Sequence, residues 1–163
     1  MSSIVNAVPA LLRRLSTASL WAAGLGLVAM TVVVFWQIVG RYVFNSTPAW
    51  AEQVALFLMS WFIILGAATG VRERDHLGFE IGLAYAPRPI AFAMKIVTEV
   101  LVLGFGLAMV WYGIELAAGT WSAPMPILGI AQGWGYVPIA VGGVLIALFS
   151  LEKLVLVLTR QEA

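Results

Sequence analysis

Apolar runs long enough to cross a bilayer dominate this chain. A helix rises about 1.5 Å per residue, so a hydrocarbon core about 30 Å thick takes about 20 residues. Ala18 to Gly40 meets that length without one charge. Arg13 and Arg14 precede it, as they would a signal peptide. The run is too long for a signal core, however, and no clear small-residue cleavage site follows, so it reads as an uncleaved span. Val54 to Val71 is a second uncharged run. Ser46-Thr47-Pro48 ahead of it reads as a helix start, with Thr47 as cap and Pro48 at the first helical position. Ile90 to Ala118 carries Lys95, Glu99 and Glu115. Lys95 and Glu99 are four apart and can pair on one helix face, Lys95 can snorkel, and Glu115 can reach the interface. The segment then reads as one long, tilted span. Val137 to Leu158 is the fourth run. Pro138 is tolerated in its first turn, and Gly142-Gly143 marks close packing or a bend.

The expected fold is an all-α integral membrane protein. One membrane domain covers 1–163, a bundle of four transmembrane helices at approximately 18–40, 54–71, 91–118 and 137–158. Ile4 to Leu15 and Leu77 to Tyr85 mix apolar and polar residues and are expected to lie as short interfacial segments. Composition agrees. The chain is 62% apolar and 10% charged, against about 25% charged in soluble domains. Too few polar groups exist to cover a water-exposed surface, which excludes a soluble enzyme.

Basic residues set the expected orientation. Of nine Lys and Arg, every one but Arg41 falls on the side shared by the N-terminus, the second connection and the C-terminus. The positive-inside rule places both termini in the cytoplasm. Trp21, Trp36, Trp50, Trp111, Trp121 and Trp134 lie near the expected interfaces, and Trp61 is mid-span.

Chemistry is sparse. There is no cysteine and a single histidine, so disulfides, thiolate metal sites and paired-histidine haem ligation are excluded. A net charge of +1 gives no reason to expect nucleic acid. No catalytic, cofactor-binding or metal-binding residues stand out, and no cofactor is expected. His76 beside Asp75 invites an acid–base reading, but a lone histidine in a short charged turn reads better as a hydrogen-bonding loop residue. Gln37, Ser60, Thr69 and Thr98 are the polar residues available within the spans, and they read as glue between helices. Gly66-Ala67-Ala68-Thr69-Gly70 is a GxxxG pattern, which permits close approach by a helix of this bundle or of a partner. A short four-span chain of this kind reads as a subunit of something larger.

From Arg41 to Glu80 the chain resembles the small, Q-type membrane subunit of tripartite ATP-independent periplasmic (TRAP) transporters. RYVFNSTPAWAEQ and VALFLMSWFIILGAATGVRERDHLGFE carry the likeness, through Arg41 and Tyr42, Trp50 and Glu52, Trp61 with Gly66 and Ala67, then Arg72, His76 and Leu77. SAPMPILGIAQGWGYVPIAVGG is similar to the family's third connection. Where many members carry a second acid after Glu52, this chain has Gln53. The resemblance implies a scaffold, not an enzyme, in a bacterial inner membrane. Its implied partners are a large multi-span membrane subunit, a periplasmic substrate-binding protein and membrane lipids, and its implied task is sodium-coupled uptake of an organic acid. On that reading Arg41, Trp50, Glu52 and Gln53 form a periplasmic docking loop. Trp61, Gly66 and Gly70 pack against a helix, and Arg72 and His76 mark the cytoplasmic border. The rival readings are a small four-span exporter acting as a homodimer, which needs a central acid that span one lacks, and a respiratory membrane anchor.

Overall fold

The computed structural model describes residues 2–46, 48–73 and 87–159. Along them run α1 (Ser2–Tyr42), α2 (Ala49–Glu73), α3 (Arg88–Gly119) and α4 (Val137–Thr159), with a short 3-10 turn, Gln132–Gly135, ahead of α4. Each expected apolar run falls inside one of these helices, all of them long and apolar enough to cross a membrane.

The helix ends follow local chemistry. Pro48 precedes α2 and is not its first helical residue. Its carbonyl accepts the Ala51 N–H at 3.1 Å, a role that needs no N–H of its own. Thr47 lies outside the described residues. Pro87 plays the same part for α3, accepting from Ile90 and Ala91 at 2.9 and 3.0 Å. The Thr120 side chain donates back to the Leu116 carbonyl at 2.7 Å where α3 ends.

The segment Ile4 to Leu15 is not a separate interfacial piece. It is continuous with α1, which has 41 residues and Pro9 within it. At 1.5 Å per residue α1 is about 60 Å long, roughly twice a hydrocarbon core. Leu12, Ser16, Ser19 and Ala23 are buried at helical spacing, so this end of α1 packs inward. Leu77 to Tyr85 lies outside the described residues.

The helices stand in an open row. α1 packs on α2, α2 on α4, and α4 on α3, while α1 only brushes α4. The central pair, α2 and α4, runs parallel: Ile64 meets Gly142, and further along Arg72 meets Glu152. A closed bundle would bring α1 back against α3. Here the two flanking helices lie on opposite sides of the central pair, so the apolar core is small. Leu12, Ala68, Ile146 and Phe149 form it, with Val71, Val102, Met109 and Leu145 against them.

Glycines let the backbones meet. A Cβ on Gly113 would lie 2.8 Å from the Ala140 nitrogen, and one on Gly143 would lie 2.7 Å from the Gly106 carbonyl oxygen. Gly142 takes the Ile64 side chain directly against its Cα. Gly142-Gly143 is therefore a site of close packing within a continuous helix. Lipid tails are as apolar as leucine, so contact in a membrane rests on such fit. By contrast, a Cβ on Gly66 or Gly70 would meet nothing within 4 Å. Gly113→Ala should therefore cost the isolated chain about 1–3 kcal/mol by overpacking, whereas Gly66→Ala should leave its thermal unfolding in detergent unchanged.

Candidate functional site

Two features stand out in the row, one at the end where α2 and α4 finish and one along the length of α2. The first is a chain of polar contacts that visits every helix. Ser16 on α1 donates to the Glu73 carboxylate on α2 at 3.1 Å. Next to Glu73, Arg72 donates to Glu152 on α4 through Nε at 2.9 Å and Nη2 at 3.2 Å. Ser150, two residues before Glu152, lies within hydrogen-bond distance of both the Glu99 carboxylate, at 2.8 Å, and the Glu99 backbone carbonyl, at 2.7 Å, on α3. The order of these contacts, α1–α2–α4–α3, is the order of the row itself.

Arg72–Glu152 is the centre of this tie. Its side chains are only 18% and 12% exposed. The two-pronged geometry uses the guanidinium fork as a lysine could not. The cation also sits 5.8 Å from the centroid of the Phe149 ring, whose own side chain is fully buried. Arg72 is thus held inside the protein by an acid and an aromatic face. His76, its expected companion, lies outside the described residues.

Two further expectations give way here. Lys95 and Glu99 form no ion pair with each other among the described residues. Lys95 faces outward, whereas Glu99 is buried and turned to Ser150 on the neighbouring helix. Nor do Ser60 and Thr69 glue helices together. Each donates to its own helix, Ser60 to the Phe57 carbonyl and Thr69 to the Leu65 carbonyl, both at 2.8 Å. Among the described residues, the hydroxyls that cross between helices are Ser16 and Ser150. For Ser150 the signal was present: Glu99 stands inside an apolar run, and an intramembrane acid needs a partner.

The second feature is the open face of α2. Met59, Ile63, Gly66 and Gly70 follow one another at spacings that share a helix side. Met59 and Ile63 are exposed, and the two glycines have open space above them. Trp61 meets Phe57 edge-on, with ring centroids 6.4 Å apart.

At the opposite end, α1 stops and α2 begins side by side, because Gly40 lies against Ser46 and Pro48. Arg41, Trp50 and Glu52 are exposed there, and no hydrogen bond or ion pair joins Arg41 to Glu52 among the described residues. Glu52 stands in the first turn of α2, where the helix dipole favours an acid. Gln53 turns inward, and its side-chain oxygen is buried with no donor against it.

Such an arrangement ties helices and presents surfaces. It defines a multi-pass membrane protein in which Arg72, Glu99 and Glu152 are spent on tying its own helices. Residues 30–160 match the family model for the DctQ component of tripartite ATP-independent periplasmic transporters, and the chain belongs to that family. It is a small permease subunit of a transporter, located in a bacterial inner membrane, and not an enzyme. The C4-dicarboxylate TRAP transporter small permease protein DctQ of Vibrio cholerae is 28% identical over 100 residues, 61% of this chain and 40% of that one. The sialic acid TRAP transporter small permease protein SiaQ of the same species is 25% identical over 126 residues, 77% of this chain and 73% of that one. The sialic acid TRAP transporter permease protein SiaT of Haemophilus influenzae is 25% identical over 126 residues, 77% of this chain but only 20% of that much longer one.

Removing one member of the central pair strands a charge in a nearly dry site. Glu152→Leu should destabilise the chain by about 3 kcal/mol, and the double change Arg72→Met with Glu152→Leu should regain most of it. Equal losses in the single and double variants, measured by unfolding in detergent, would show that the pair has no such role.

Proposed function

We propose that this chain is the stationary scaffold of a three-part importer that takes up an organic acid by coupling it to sodium. In this role it packs in the bilayer plane against a large multi-span subunit and helps to seat a periplasmic substrate-binding protein. The observation that carries the reading is the open row of helices, tied at one end, with its α2 glycine face unfilled by its own chain. A wall that must stay still while a neighbour moves needs internal ties and a fitted side, and this chain has candidates for both. The long relative SiaT supports the partner's nature, since a region like this chain makes up a fifth of that permease. The substrate class rests on the names of the relatives, which specify C4-dicarboxylate and sialic acid.

In this reading both termini and the Arg72 border face the cytoplasm, supported by the bias of basic residues toward that side. Arg41, Trp50, Glu52 and Gln53 then face the periplasm and belong to the surface that meets the binding protein. Trp61, Gly66 and Gly70 lie toward the large subunit, where small residues let helices approach closely.

Co-expression with the large permease of the same system tests the scaffold role. Gly66→Leu and Gly70→Leu should each sharply reduce co-purification while the isolated chain unfolds as before, and unchanged capture would exclude that face. Glu52→Gln should lower uptake several-fold in vesicles holding all three proteins, with assembly intact. Uptake by vesicles that contain this chain alone would refute the scaffold reading altogether. Reporter domains fused to either end should score as cytoplasmic.

A further inference from the structure

The connection between α3 and α4 takes no part in the polar tie or the open face of α2. No charged residue occurs anywhere between Glu115 and Glu152. The connection is nevertheless well built. Pro124 and Ala131 form an antiparallel bridge. The Met125 N–H donates to the Ile130 carbonyl at 2.8 Å, Gly129 to Met125 at 3.0 Å, and Gln132 to Ala123 at 2.8 Å. Gly129, with φ at +66°, makes the turn in the left-handed region that glycine enters freely. Gly133 then presses onto the Ala117 carbonyl and the Trp121 ring, leaving no room for a side chain. These contacts hold the hairpin down on the ends of α3 and α4.

Its large side chains remain uncovered. Trp121 and Ile127 are each 49% exposed, Trp134 44% and Ile130 40%. The two tryptophan rings lie 5.5 Å apart. Trp121 also walls one end of an apolar groove of about 560 Å³, whose other sides are Ile114, Ala117, Ala118, Val137 and Ala140. Those five belong to the membrane-crossing parts of α3 and α4. Groove and hairpin therefore form one surface, continuous with the apolar flanks of the spans.

We propose that this surface binds lipid. The hairpin lies at the boundary between headgroups and acyl chains, with Trp121 and Trp134 at that level, and an acyl chain occupies the groove. Two observations select lipid. A dock steered by charge would carry charge, and this segment has none. Tryptophan favours the boundary because it joins an apolar ring to a polar N–H. With no basic residue beside the groove, binding does not select an anionic headgroup. The inference stands independently of the scaffold role and of which leaflet faces this end.

Because the chain has no cysteine, Ile127→Cys and Ile130→Cys each accept a single nitroxide label. Each labelled full-length chain is placed in phosphatidylcholine vesicles, alone and then assembled with the large permease. The expected result is that collisions with oxygen, which concentrates in lipid, exceed collisions with a water-soluble nickel chelate at both sites. That preference should persist on assembly and be unaffected by anionic lipid. A preference for nickel at both sites would make the hairpin a water-facing loop and overturn the proposal. Loss of oxygen contact on assembly would overturn it in favour of a protein interface. Two sites keep the test decisive if one variant fails to fold.

Discussion

Hydrocarbon gives apolar helices no hydrophobic reason to gather, since a leucine is as well solvated by lipid as by another leucine. What brings these four together must therefore be shape and a few polar bonds. Arg72–Glu152 is the central one. It joins two parallel helices whose negative dipole ends lie side by side, and Arg72 supplies positive charge in the last turn of α2. Ser16–Glu73 and Ser150–Glu99 extend the tie to the flanking helices. Glycine contacts between α3 and α4 complete it along their length. Loss of one member of the central pair would leave a charge without its partner in a site that water barely reaches.

An open row differs from a closed bundle in what it offers. A closed bundle hides its best-fitting faces in its own centre. The row leaves long faces uncovered on α1, α2 and α3, with aromatic side chains such as Phe105, Trp111 and Tyr112 standing outward. Ties at one end and tight glycine contacts between α3 and α4 keep the row in one shape. This combination suits a proposed support that has to present a constant side to a larger neighbour. The uncharged hairpin at the other end adds a different surface, matched in chemistry to the lipid boundary itself.

The four spans were legible because membrane insertion is a property of local composition: a run of about 20 apolar residues declares itself without reference to the rest of the chain. The family was legible too, through the spacing of Arg41, Trp50, Glu52 and Trp61. Pairing was less so. The i,i+4 rule proposed a partner for Glu99 on its own helix, but Lys95 stands on the outer side and the acid turns to Ser150. Likewise the GxxxG pattern named glycines that meet nothing in this chain, while Gly106, Gly113, Gly142 and Gly143, which carry no such motif, make the intimate contacts. Short motifs report what a helix side permits, and they do not report which neighbour arrives.

By itself, then, the amino-acid order determined a four-span membrane protein, the bias of basic residues to one side, and membership of a transport family. The first two need only hydropathy and charge placement, which act residue by residue, and the third rests on the likeness of its motifs to those of known relatives. Tertiary structure alone decided the order α1–α2–α4–α3, the exchange of partners around Glu99 and Arg72, and the choice between filled and open glycine faces. The reason is geometric: every span is apolar on nearly all sides, so composition ranks no face above another, and only the mutual fit of whole helices settles which sides are consumed.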